Sequence, residues 1–335
     1  MATVAYFVHG RGRGHASRAA LAIPRLRAAG HRVVVFAGGD ALDLLGREGV
    51  IEVSPVPVGL GALAVVARRL GQDLGAMREA GVEVVVSDGD APGVQAGRRL
   101  GAPVIAVGHD QVFLGCALPP ELPRGPLLAE QAVGKVTSVG ASAAVAVHFL
   151  PLAARRAGTR VARPDRDPAL DGAVGQEGPW VAYLRDGEGE DVLGAMVAAG
   201  ARVTCFGRLR RPIAGVEGRA FARGEFLAAL RAAPGVIATA GSNLLAECVM
   251  LGKPVLALHR SGDHEQRLNA WMAERGGVAV AAEIGRGAAG VRVLLERAGR
   301  GEFARVDLEG ALPPASAAIE AAVAEALAGA PRARR

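Results

Sequence analysis

Short apolar runs alternate with longer amphipathic stretches along nearly the whole chain. That alternation predicts strands and helices in turn. Residues 2–8 (ATVAYFV) read as a buried strand, followed by the loop HGRGRGH and a helix over 16–29. Gly30-His31 break that helix before a second strand at 33–36. The pattern continues with a helix at 40–47, a strand near 51–56, a helix over 60–80 and strands at 82–87 and 103–107 around a helix at 93–100. A proline-rich loop at 117–126, a helix at 127–138 and a strand at 143–149 close the first half. Strands that alternate with helices imply a mainly parallel sheet covered on both faces.

Residues 150–178 change character and are rich in Arg, Asp, Pro and Gly; they read as a short strand plus a linker. The alternation then restarts, with strands at 180–183, 202–206, 216–221, 236–240, 254–259 and 278–281. The expected organisation is an α/β chain of two Rossmann-like halves. Residues 1–155 form the first domain, 156–178 the linker and 179–312 the second domain, and a last helix within 313–330 returns to brace the first. A cleft between two such halves is a natural ligand site.

The stretch 239–270 carries the densest chemistry. Gly241 sits where a strand must turn into a helix, and a glycine there lets a ligand come close to the backbone. Ser242 or Asn243 suits the helix cap, and the free N–H groups of that helix start suit an anion. Glu247 lies one turn inside, on the face toward such a ligand. His264, Glu265 and Gln266 follow in a polar loop after the next strand. A diphosphate, a ribose and a hydroxyl-rich group fit this one stretch.

Composition narrows the field. Half of the 335 residues are apolar, so a large core is available. Apolar runs stop far short of the ~20 residues that span a bilayer. The N-terminus shows no leader pattern, and a cytoplasmic protein is expected. The three cysteines are scattered and make no CxxC; with no His/Cys/Asp/Glu spacing for zinc, no metal and no cofactor are expected. The net charge of +6 comes almost wholly from arginines spread along the chain, and aromatics are only 4%. That distribution argues against nucleic acid as a partner.

Two motif sets resemble one family. Thr239-Ala-Gly241, Glu247, Gly252-Lys-Pro254, Glu265-Gln266 and Asn269-Ala270 resemble the nucleotide-sugar signature of GT-B glycosyltransferases. The loop from Gly10 to His15 resembles the glycine loop of the bacterial N-acetylglucosaminyltransferase that makes lipid II. Segments 12–18 (GRGHASR), 87–92 and 97–104 resemble predicted glycosyltransferases of the same superfamily, the family-28-like group. Three positions depart from the pattern: Thr239 for a frequent His, Ala240 for a frequent Gly, and Glu265 for the usual Asp.

The resemblance implies a GT-B fold, with two Rossmann-like domains whose parallel sheets face across a cleft. It implies a hexosyltransferase using a UDP or dTDP sugar. Gly241, Ser242 and Asn243 would hold the diphosphate, Glu247 the ribose, Glu265 and Gln266 the sugar, and Phe221 the base; His264 is a further donor candidate. The acceptor, a small molecule or a partly hydrophobic one, would lie over the first domain. Gly12, Arg13, Gly14, Asp90, His109 and Asp110 mark its phosphate loop and strand ends, with the 59–75 segment and the apolar 110–127 loop beside them. Peripheral membrane contact stays open.

Inverting transfer needs a base for the acceptor proton. His15 is the candidate, with Asp88 at a neighbouring strand end to orient it, as in members acting on natural products. His15 also fits a helix cap or an acceptor-phosphate ligand, and Asp88 a turn former; Asp90, His109 and Asp110 are the reserve bases. A GxGxG loop alone is weak, and here it makes a poor dinucleotide fingerprint because the next strand ends without an acid. A nucleotide-sugar epimerase of the same fold and a binding protein without turnover remain as alternatives.

Overall fold

A computed structural model describes residues 1–57, 61–184 and 188–329. The chain divides into two compact units. The first comprises Met1–Leu118, Glu130–Asp165 and the chain from Leu312 on; the second comprises Pro119–Ala129 and Arg166–Ala311.

The first unit opens with β1 (Thr3–Val8), α1 (Arg13–Ala28), β2 (Arg32–Ala37), α2 (Asp40–Leu45) and β3 (Val50–Glu52). Next come α3 (Gly61–Ala80), β4 (Val84–Asp88), α4 (Ala91–Leu100) and β5 (Val104–Gly108). After α5 (Asp110–Gly115) and α6 (Arg124–Ser138), β6 (Ala143–Val147) and β7 (Thr159–Ala162) complete a seven-stranded parallel sheet. The strand order is β3-β2-β1-β4-β5-β6-β7. The chain therefore winds outward both ways from the β1–β4 junction, the place where open α/β sheets hold ligands. Val8 pairs with Asp88 there, so both strands end side by side.

After Thr3, β1 runs through large and small apolar residues and Tyr6, all buried, because both its faces are covered. Val4, Tyr6 and Val8 pack against Ala16, Ala19, Ile23 and Leu26 of α1. Ala5 and Phe7 pack with Met77, Val85 and Val94. Full burial of each large apolar side chain contributes ~1.5–3 kcal/mol, so this strand anchors the unit. The last helix, α13 (Ala315–Gly329), joins the same core through Ile319 and Val323. The Asp165 carboxylate accepts from the Ser316 N–H at 3.0 Å at its start, and Arg25 pairs with Glu320 at 2.5 Å.

The second unit holds β8 (Trp180–Tyr183), α7 (Glu190–Ala198), β9 (Val203–Phe206), β10 (Val216–Arg219), α8 (Arg223–Ala232) and β11 (Val236–Thr239). It continues through α9 (Ser242–Leu251), β12 (Val255–His259), α10 (His264–Arg275), β13 (Ala279–Glu283), α11 (Ala288–Gly299) and α12 (Leu308–Ala311). Its six parallel strands run β10-β9-β8-β11-β12-β13. Buried Lys253 donates to the carbonyls of Gly175 at 2.5 Å, Arg231 at 2.9 Å and Ala233, and so holds the end of α8. Burial lowers its ammonium to about 8.

Some expectations need adjusting. Residues 159–162 of the segment read as linker form an edge strand of the first sheet, and 168–170 make a 3-10 turn in the second unit. The apolar stretch after residue 110 is not an open loop: Val112 and Phe113 sit in helix α5 and are buried. Their hydrophobicity belongs to the core and is no sign of a hydrophobic acceptor. The expected start of the 60–80 helix, at Leu60, lies outside the described residues. Among the described residues, no helix is long and apolar enough to cross a membrane.

Candidate active-site residues in each unit

In the first unit Gly10 of the β1–α1 loop serves close backbone packing. A Cβ on Gly10 would stand 2.5 Å from the Gly38 carbonyl oxygen. The Gly12 N–H donates to Asp40 Oδ2 at 2.8 Å, and Gly12 adopts φ 78° immediately before α1. Gly12 thereby sets where α1 begins, and Gly14 and His15 lie in its first turn. The side chain of Arg13 lies outside the described residues.

His15 meets Asp88 there. Its Nδ1 lies 2.6 Å from Asp88 Oδ1. The same carboxylate receives Arg18, from Nε to Oδ2 at 2.7 Å and from Nη2 to Oδ1 at 2.5 Å. Tyr6 Oη lies 3.5 Å from Oδ2. Asp88 is fully buried while the His15 side chain keeps 28% exposure. Burial pushes the Asp88 carboxyl up, but Arg18 and His15 outweigh it and hold it below the usual carboxylate range. An ionised carboxylate only accepts, so Nδ1 carries the hydrogen of this contact, and in a neutral ring Nε2 is then the acceptor nitrogen.

The reserve residues are engaged elsewhere. Asp90 caps α4 by accepting from the Gly93 N–H at 2.9 Å. Arg69 grips it with two bonds of 2.7 and 3.0 Å, and Asp90 is buried. These contacts make it a helix cap and an ion-pair partner. His109 is buried too, with Nδ1 3.0 Å from the Val147 carbonyl and its ring stacked on His148. Asp110 accepts from Gln111 at 3.0 Å and from Thr137 of α6. Both fasten α5 and its neighbours.

In the second unit, Gly241 precedes α9, and no side chain caps that helix. The first-turn amides at Ser242 and Asn243 are thus free of a side-chain acceptor. The turn is fixed from behind: buried Asn269 donates from Nδ2 to the Ala240 carbonyl at 3.0 Å. Glu247 is buried one turn on, and Arg223 donates to its Oε1 at 2.6 Å. Burial pushes the Glu247 carboxyl up, and Arg223 opposes that shift. Arg223 also reaches Asp167 at 3.2 Å.

β11 and β12 are neighbours, so α9 and α10 both begin at one edge of the sheet. Asp263 caps α10 by accepting from the Gln266 N–H at 3.0 Å. His264 and Glu265 are exposed there, while Gln266 Oε1 is buried with no partner among the described residues. Phe221 lines an open groove of about 510 Å³ with Gly207, Arg208, Leu209 and Arg219, beyond the ends of β9 and β10. Its ring packs near Tyr183 and Phe226. Among the described residues, no three His, Cys, Asp or Glu side chains are grouped to hold a metal ion.

Sequence reasoning missed Arg18, Arg223 and the tethering role of Asn269. Arg18 had a readable signal, because a residue three places after His15 shares its helix face. Arg223 comes from another element, and nothing local points to Glu247.

Two Rossmann-like parallel sheets with these strand-end sites define a GT-B fold, and solved structures agree. The glycosyltransferase of kitacinnamycin superposes with a TM-score of 0.69 at 16% identity, covering 97% of this chain and 99% of that one. MurG of Acinetobacter baumannii gives 0.71 at 15% identity, over 97% and 100%. The glycosyltransferase VinC in complex with dTDP gives 0.63 at 17% identity, over 98% and 100%. Residues 59–295 match the family described as Glycosyl transferase family 1, and the chain belongs to that family. It is a glycosyltransferase of GT-B type. No curated protein matches it by sequence.

Proposed function

We propose that this glycosyltransferase moves a sugar from a nucleoside diphosphate, UDP or dTDP, to an acceptor hydroxyl, with inversion and without a metal ion. The observation that carries the reading is the 2.6 Å contact of His15 Nδ1 with buried Asp88, at the junction where ligands of such sheets bind. His15 Nε2 takes the acceptor proton as the acceptor oxygen forms its bond to the anomeric carbon. The bond from that carbon to the diphosphate oxygen breaks, and the nucleoside diphosphate leaves with the electron pair. Attack opposite the leaving group inverts the anomeric centre.

Donor contacts are assigned to the second unit. The uncapped start of α9, at Gly241, Ser242 and Asn243, supplies N–H groups and a partial positive charge to the diphosphate. Glu247 accepts from the ribose hydroxyls, Gln266 and Glu265 meet the sugar, and Phe221 lies against the base; His264, first residue of α10, is a further donor contact. The donor class is supported by VinC, solved with dTDP, and by SsfS6, solved with thymidine diphosphate.

A panel of UDP and dTDP sugars, offered with and without hydroxylated acceptors, tests the reaction. Transfer or slow donor hydrolysis is expected, and His15→Ala should lower transfer by 10²-fold or more. Interconversion of the sugars without release of nucleotide would overturn the reading in favour of an epimerase. Binding without any turnover would leave a nucleotide-sugar-binding protein.

A further inference from the structure

Asp88 does not serve His15 alone. Arg18 holds both of its oxygens in a fork, from Nε at 2.7 Å and Nη2 at 2.5 Å, and Arg18 itself is buried. Its Nη2 also lies 3.3 Å from His15 Nδ1. Both nitrogens carry hydrogens, so that contact is not a bond. It places a fixed positive charge beside the imidazole.

We propose that Arg18 is a positioning residue for the base. Its fork fixes the plane of Asp88, and its charge offsets the pull of Asp88 for a second proton on His15. The proposal rests on His15 being the base.

Charge balance carries the argument. With Arg18 present, Asp88, Arg18 and neutral His15 sum to zero, and protonated His15 makes the group +1. Without Arg18 the Asp88–His15 pair is −1, and protonation brings it to zero inside a buried site. The pair would then keep a proton on His15, and a protonated imidazole is no base. The fork geometry adds orientation, because a bidentate guanidinium fixes a carboxylate more rigidly than an ammonium does. Lys in place of Arg18 would keep the charge and lose the fork.

The other groups near the imidazole do not replace this charge. His9, at the end of β1, stacks edge-on to His15 at 5.2 Å, and burial followed by His15 lowers its own proton affinity. Tyr6 bears on Asp88 from β1, with its phenol pushed up chiefly by burial and Asp88. Asp110, from α5, acts on Arg18, and Arg11 and Asp90 act on His9. Arg18 keeps its charge: burial works against it, and Asp88 more than compensates.

The test is the pH dependence of transfer in wild type, Arg18→Met and Arg18→Lys. Arg18→Met should move the acid limb of kcat/KM up by about one pH unit or more, while donor KM changes little. Arg18→Lys should leave the limb in place and lower kcat. An unmoved limb in Arg18→Met, or an equal movement in Arg18→Lys, would overturn the proposal. If Arg18→Met does not fold, Arg18→Lys decides: a kcat lowered with the acid limb in place supports the fork as the positioning element, and an unchanged kcat overturns the proposal. His15→Gln keeps the two failures apart. Undiminished transfer in that variant removes the base assignment itself, whereas lost transfer with an unmoved Arg18→Met limb removes only the role of Arg18.

Discussion

Two buried carboxylates share one guanidinium beneath the β4–α4 turn. Arg69 binds Asp90 through two bonds and Asp73 through one of 3.0 Å. Asp73 has the weaker claim. Burial and the Asp90 charge push it up to about 6, against the pull of Arg69. The folded chain therefore takes up a proton near pH 6 that the unfolded chain takes up near ~4. In that window the folded state holds the extra proton, so stability falls as pH rises. Asp73→Asn should then stabilise the protein at pH 7–8 by about 1–3 kcal/mol, and the gain should vanish below about pH 4. Chemical denaturation at pH 4, 6 and 8 checks this; a loss at pH 8 would show that the ion pair outweighs desolvation. The same region marks how far residues can be read from sequence. His15 and Asp88 were legible as strand-end residues whose chemistry fits the proposed reaction. Arg69 was not, because its partners lie 4 and 21 positions away and only the folded chain brings all three together. The grip of Arg69 on Asp90 was hidden for the same reason.

At the scale of elements, the β4–α4 turn shapes the site through a glycine. Gly89 has φ 71°, and a Cβ there would stand 2.7 Å from His15 Cε1 and 3.1 Å from Nδ1. His15 is part-exposed and free to yield, so a methyl group would push the imidazole off Asp88. Gly89→Ala should cut transfer by about 10²-fold, the scale of an ångström-sized misplacement. It should cost only ~1–2 kcal/mol of stability for the left-handed backbone. Parallel rate and unfolding measurements check the split, and a rate within a few-fold of wild type would count against the geometry. Most elements were visible in the hydrophobic alternation because strands covered on both faces read as unbroken apolar runs. α5 was not, since six residues show no helical period. A short strand was expected within 150–178, but not its position, because the TRVA of β7 is an edge strand, half exposed and charged.

At the scale of the molecule, the proposed tasks fall on separate units. The proposed base and its carboxylate both belong to the first, with His15 on α1 and Asp88 on β4. The proposed donor contacts belong wholly to the second, around α9, α10 and the groove at Phe221. Binding and transfer should therefore respond to different substitutions. A nucleoside diphosphate that binds only the folded chain stabilises it by RT ln(1 + [L]/Kd), ~2.7 kcal/mol at a hundredfold excess over Kd. UDP or dTDP should thus raise the melting temperature of wild type and of His15→Gln equally, although the variant no longer transfers sugar. Glu247→Ala should lose most of that shift. The substitution leaves the Arg223 cation still paired with Asp167, so the loss would report missing ribose contacts rather than a stranded charge. If His15→Gln abolished the thermal shift as well, the donor would depend on the first unit. The division of labour between the two sheets would then have to be redrawn.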